Sequence, residues 1–292
     1  MVVFIFLISI PIIAISIISY ENYSSSILAN TISYSKQASR TMLDKIDAYV
    51  SDINRISVLP LYSEEFQLIM SSPHITFDER KQVEAYLLSM NNMKKETSAI
   101  YVFDNFGRPF YTLKSEGLRS NYLRDWQEWK AMADSAEGFP VVIGTQETYS
   151  TSGNVNYVFS LVRQVKSSST LKPIGTILVD TNIRFFEDAV QQLDATTGGQ
   201  TIIVDEHNRV IYDSDLQWIT QDLSTSSFVN AATGRSGDFR LAMQGEPYLC
   251  TYMTSNNTGW KVLLYTPMDE LTSGAKTTRN VTIAVTLLIV GF

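Results

Sequence analysis

Residues 121–132 read NYLRDWQEWKAM, which places two of the four tryptophans three positions apart, beside Tyr122, Arg124, Asp125 and Glu128. Aromatic faces with a few polar groups are what a small-molecule pocket uses for shape and orientation. The spacing also fits plain packing: Tyr122, Trp126, Trp129 and Ala133 fall on one side of a helix. Other chemistry is sparse. His74 and His207, the only histidines, sit in unrelated contexts, and no metal-ligand spacing occurs. The TGGQ stretch at 197–200 lacks the phosphate-loop pattern and precedes a strand, so it reads as a turn. The single cysteine, Cys250, lies in YLCTYM, a buried-strand pattern that makes it a structural thiol. No acid–base pair stands out among the carboxylates. Within these residues we expect a binding module with no catalytic residue, metal or cofactor.

The elements that position these residues follow from the rest of the chain. Its 292 residues suffice for one large or two small domains. The formal charge is −7, and no basic run or basic Gly-rich loop suggests a nucleic-acid partner. Residues 2–20, VVFIFLISIPIIAISIISY, carry no charge. As a helix they would extend roughly 28 Å, close to the thickness of a bilayer core. They lack the basic start and small-residue cleavage site of a signal peptide. Residues 281–292, VTIAVTLLIVGF, are apolar but too short to span, as if a second membrane helix were cut. A block at 21–280 is then expected on one side of the membrane.

Leu28, Ile32, Ser35, Ser39, Met42, Ile46, Tyr49, Ile53 and Ile56 alternate four and three apart, predicting one long helix over 21–59 that Pro60 ends. Its seam can pack on the protein's own domains or on a second copy. A short helix through Met70 and a capping box TFDE at 76–79, opening a helix to about Lys95, come next. Strands then repeat. FDNFGRPFY (103–111) matches VDEHNRVIY (204–212), pairing Asp104 with Asp205, Gly107 with Asn208, Arg108 with Arg209 and Tyr111 with Tyr212. YVFSLV (157–162) resembles YLCTYM (248–253), and GTILVD (175–180) resembles GWKVLL (259–264), setting Asp180 against Leu264. Three matches in the same order predict two copies of one antiparallel unit, with sheets in about 97–181 and 200–266. Thr266 and Pro267 fit the N-cap and first position of a last helix that runs toward the membrane.

This layout resembles the double Cache sensor region. WKAMADSAEG followed by FPVVIG, with VFSLVRQV, PIGTILVDTN, TIIVDEHNRVIYDSD and NTGWKVLLYTPMDEL, resembles the extracellular region of YesM-like sensor histidine kinases of Gram-positive bacteria. Chemotaxis receptors and diguanylate cyclases use the same sensor.

The resemblance implies an α+β fold: a transmembrane helix (2–20), a stalk helix (21–59), a membrane-distal Cache domain (60–185), a proximal one (186–266), and a linking helix entering a second transmembrane helix (267–292). It implies a cell-membrane protein with residues 21–280 extracellular, a homodimer by analogy with such kinases, and a response-regulator partner. The enzyme, an ATP:protein-histidine phosphotransferase, would lie outside these residues. The ligand is a carbohydrate, an amino acid or an organic acid, held by the distal domain. Tyr111, Tyr122, Arg124, Trp126, Trp129, Tyr157 and Asp180 are the expected ligand-binding residues, with Asp180 at the position that binds the amine in amino-acid-binding members.

Overall fold

In a computed structural model the described residues are 2–113, 122–149, 155–243 and 245–291, with the side chains of 2–9, 188, 275 and 287–291 outside the description. Helix α1 (Val2–Val58) is continuous through Pro11. Pro60 ends it within a 3-10 turn, Leu59–Tyr62. Helix α2 (Glu64–Ser71) is capped by Ser63. Helix α3 (Phe77–Asn91) opens with the capping box formed by Thr76 and Glu79, and stops four residues short of Lys95.

Strands β1 (Thr97–Asp104), β2 (Pro109–Leu113), β3 (Val141–Tyr149), β4 (Val155–Lys166) and β5 (Pro173–Asn182) form an antiparallel sheet ordered β2-β1-β5-β4-β3, with α4 (Tyr122–Ser135) between β2 and β3. After α5 (Glu187–Thr197) the pattern returns. Strands β6 (Gln200–Val204), β7 (Val210–Asp213), β8 (Ser236–Met243), β9 (Glu246–Thr254) and β10 (Lys261–Pro267) form a second sheet ordered β7-β6-β10-β9-β8, with α6 (Ser227–Ala231) between β7 and β8. The chain order of strands is the same in both, so the repeat is structural.

The hairpins show why the repeated residues recur. Asp104 Oδ1 accepts from the amides of Phe106 (2.9 Å) and Arg108 (2.8 Å), and its other oxygen binds Arg108 Nε. Asp205 Oδ1 accepts from His207 N (2.8 Å) and Arg209 N (2.9 Å), and Oδ2 binds Arg209 Nε at 2.7 Å. Gly107 (φ 80°) and Asn208 (φ 62°) take the left-handed turn position, which these two residue types tolerate best.

The seam of α1 packs on the protein's own sheets. Met42, Ile46, Tyr49, Ile53 and Ile56 join Val102, Phe159, Leu161, Ile177 and Val179 of the first sheet and Ile203, Trp260, Val262 and Leu264 of the second in one core. Polar ties reinforce it. Asp47 accepts from Ser255 Oγ (2.7 Å), Asn257 Nδ2 (3.0 Å) and Thr258 Oγ1 (3.0 Å) in the β9–β10 turn. The buried Arg163 of β4 donates to Asn54. The sheets also touch each other: a bulge in β3 lets Thr145 Oγ1 donate to the Ile211 carbonyl at 2.6 Å.

The last helix, α7 (Met268–Gly291), starts later than expected. Thr266 and Pro267 are the last residues of β10, still paired with Leu249 and Tyr248, and Thr266 is buried. The ladder therefore holds the two residues that local capping chemistry would have given to the helix. Among the described residues no helix is long and apolar enough to cross a membrane; the expected 2–20 span falls partly on side chains outside the description.

Candidate functional site

The stalk covers one face of the first sheet, and α4 covers the other. Side chains alternate along a strand, so SAIYVFD sends Ala99, Tyr101 and Phe103 toward α4 and Ile100 and Val102 toward the stalk. On the α4 face these three meet Leu178, Val162, Ile143, Trp129 and Ala133, with Tyr111, Tyr122 and Trp126 at the margin. Trp126 stacks on Phe103, with ring centroids 5.4 Å apart and planes 14° apart. Tyr101 lies within 6.4 Å of the rings of Tyr111, Tyr122 and Trp129. Burial, with Tyr111 nearby, pushes the Tyr122 hydroxyl above its ordinary value, so it stays neutral at physiological pH.

Asp180 shares this face, two residues beyond Leu178 on β5, and is 1% exposed. Ser160 of β4, its register partner, donates to Asp180 Oδ1 at 2.6 Å. A bulge in β1 falls at Ser98, whose hydroxyl donates to the Asp180 carbonyl. A carboxylate this buried costs several kcal/mol unless hydrogen bonds or an opposite charge compensate it. The next residue, Thr181, points the opposite way. It pairs with Thr97, and both lie against the hydroxyl of Tyr49 on the stalk.

Five of the expected residues are therefore gathered: Tyr111, Tyr122, Trp126, Trp129 and Asp180. Two are not. Arg124 is exposed and pairs with Asp125 at 2.8 Å, because it lies on the solvent side of α4. Tyr157 packs with Phe159 and Leu161 on the stalk-side core, the odd-numbered face of β4. Ser160, Tyr101 and Phe103 share this face and were not singled out from sequence, although strict alternation through SAIYVFD marked the last two. Residues 114–121, which include the start of the NYLRDW stretch, and 150–154 lie outside the described residues.

The second unit corrects the repeat in detail. Leu264 lies on the stalk-side core, whereas Leu263 and Tyr265 face outward. The residue opposite Cys250 on β9 is Tyr265, as Ser160 is opposite Asp180. The counterpart of Asp180 is thus Tyr265. The GTILVD and YVFSLV alignments were each one residue out of step, which flips every side chain. Likewise a bulge in β7 pairs Tyr212 with Ile203 and turns it stalkward, so it stands where Phe110 stands, not Tyr111. Asp213 takes the outward position opposite Ile202, but the amides of Asp215, Gln217 and Trp218 all bind its carboxylate.

Two matched sheets on one stalk, one with a buried carboxylate beneath an aromatic helix, define a tandem sensor module. The chain belongs to the Cache domain family, whose double-Cache model matches residues 19–275. It is 23% identical over 96% of its length to the uncharacterized HTH-type transcriptional regulator YtdP of Bacillus subtilis. It is 21% identical over 94% of its length to the methyl-accepting chemotaxis protein McpA of the same organism. The chain spans 37% and 39% of these two relatives. Among solved structures it resembles the ligand-binding domain of the Pseudomonas aeruginosa amino acid chemoreceptor PctC in complex with GABA (TM-score 0.59, 14% identity, 81% of this chain and 99% of that one). It also resembles the ligand-binding domain of Mlp24 with asparagine (TM-score 0.57, 14% identity, 88% and 98%). At these identities the two structures speak for the fold.

Proposed function

We infer that the chain is the extracytoplasmic sensing region of a membrane-anchored signalling protein, and that its first Cache unit binds a small amine-bearing solute, an amino acid or a close relative. The observation that carries this is Asp180, a carboxylate buried at the base of an aromatic face and suited to an ammonium group. The amino-acid and GABA ligands named for the structurally similar domains support the same class. An organic acid would meet a like charge at Asp180, and a sugar hydroxyl would hydrogen-bond to it without neutralising it, whereas an ammonium group does both.

Residues 2–20 and the last turns of α7 anchor the module, with 21–280 outside the cell. Binding shifts the population of unit shapes by the ligand's differential affinity for them. The shift reaches the membrane as a displacement of α7 against α1, in a homodimer. For the output, the relatives named above support a chemoreceptor or a DNA-binding regulator at least as well as a histidine kinase with its response regulator.

The test is calorimetry of the purified chain against amino acids, amines, sugars and organic acids. We expect an amino acid or amine to bind, and Asp180→Ala to weaken it by tenfold or more. Binding of a sugar alone, or Asp180→Ala binding as tightly as wild type, overturns the assignment. In the longer protein, two glycines inserted between Pro267 and Met268 should abolish signalling and leave affinity unchanged.

A further inference from the structure

Where α1 and α7 run together, they leave a groove of about 540 Å³ lined by Ile12, Ile15, Tyr20, Tyr23, Arg279 and Thr282 among others. Its two ends differ in chemistry. At one end Ile12 and Ile15 are exposed isoleucines. At the other the Arg279 guanidinium lies over the Tyr20 ring, 4.6 Å from its centroid, with Tyr23 half exposed beside them. Among the described residues Arg279 has no ion pair; it reaches only the amide oxygen of Asn280, at 3.2 and 3.3 Å. The neighbouring cation, Lys276, is by contrast bound to Asp269 at 2.6 Å.

We propose that this groove is a binding site for an acidic phospholipid. Its phosphate would pair with Arg279, and one acyl chain would lie along Ile15 and Ile12. The proposal rests on the reading of residues 2–20 as a membrane helix. Three observations favour this occupant. From Tyr23 to Ile12 the groove descends eleven residues of helix, roughly 16 Å, which is about half the thickness of a bilayer's hydrocarbon core. Tyrosines and an arginine sit at the level where interfacial side chains belong, and below them the lining carries no charge: Ile15 and Ile12 with the small hydroxyls of Ser16, Ser19 and Thr282. The guanidinium lies over the ring with its Nε–Nη2 edge on a neutral amide oxygen, so its charge is uncompensated among the described residues, and that planar edge is the geometry that binds phosphate.

The experiment is native mass spectrometry of the full 292-residue chain in detergent with phosphatidylglycerol or phosphatidylcholine, alongside flotation with vesicles of each lipid. We expect phosphatidylglycerol to be retained at least tenfold more than phosphatidylcholine. Arg279→Gln should bring the two within twofold, and Arg279→Lys should keep part of the preference. Tyr20→Leu should weaken it while circular dichroism stays unchanged. Equal retention by a chain that floats with vesicles overturns the lipid site alone. A chain that floats with neither lipid overturns the membrane reading as well. Exclusion of lipid by a dimer that cross-links through Tyr23→Cys identifies the groove as a contact between copies and also overturns the proposal.

Discussion

Asp47→Ala severs the polar tie between the stalk and the second sheet. The side chain is half-buried and accepts from three residues of the β9–β10 turn. Those hydroxyls act as relays. Ser255 Oγ accepts the amides of Asn257 (2.9 Å) and Thr258 (3.1 Å), Thr258 Oγ1 accepts that of Trp260 (3.3 Å), and both hydroxyls turn their protons to Asp47. Each bond to a carboxylate is worth about 1 kcal/mol here, discounted for solvent from the 1.5–3 typical of charged partners, so the set contributes about 2–3 kcal/mol. At 1.36 kcal/mol per decade, local opening of the turn should become about 30- to 150-fold more frequent. Hydrogen exchange read by mass spectrometry at Asn257, Thr258 and Trp260 reports that opening. Asp44→Ala, exposed and one turn earlier on the same helix, is the control. Exchange in Asp47→Ala within twofold of wild type would mean that the turn holds itself and that the stalk is merely adjacent.

Trp129→Ala removes a side chain that is 2% exposed from the α4 face and should cost about 3–5 kcal/mol in denaturant unfolding; a loss below 1 kcal/mol would show that α4 is not fixed by this contact. Gly175→Ala places a Cβ 2.5 Å from the Phe103 carbonyl oxygen, a backbone clash that should cost about 1–3 kcal/mol and lower the melting temperature. Burial raises the Asp194 carboxyl above the usual range, against hydrogen bonds from Ser214 and Thr201, with Asp215 and Asp213 adding repulsion. A raised folded-state value for an acid means the folded state binds the extra proton, so stability from this group falls as pH rises from the unfolded value of about 3.9 to the raised one. Wild type should therefore gain on Asp194→Asn as pH drops from 7 toward 4, measured by thermal melts; a constant difference would show that Asp194 titrates normally.

The α-helical seam and the Asp–Gly/Asn–Arg hairpins were legible because they rest on local chemistry, heptad spacing and a left-handed turn residue, and the recurrence of the hairpin made the presence of two sheets legible. What escaped was register. GTILVD and GWKVLL look alike as strings of apolar residues, yet only their hydrogen-bonded partners say which face each residue takes. Nothing in the string tells Asp180 from Thr181. The site suffered the same blindness. Trp126 and Trp129 could be set on one helix face because indoles at helical spacing are conspicuous, whereas the face of Tyr157 could not be read because YVFSLV is buried on both sides. Arg124 was drawn in by proximity in sequence, when the helical period already put it opposite Trp126. The start of α7 was missed because β-ladder pairing at Thr266 and Pro267 overrides a favourable cap.

Asp180 and Thr181 stand on opposite sides of a single strand, one toward the aromatic site and the other toward Tyr49 of the stalk. On the proposed function, recognition and readout are separated by the thickness of one peptide plane and share no side chain at this point. Substitutions on the even-numbered face of β4 and β5 can change which solute is held without altering the surface that grips the stalk. A lineage can exchange its chemical signal while keeping its wiring, and an engineer who wants a new input for the same output should confine changes to Ser160, Val162, Leu178 and Asp180 and leave Phe159, Leu161, Val179 and Thr181 as they are.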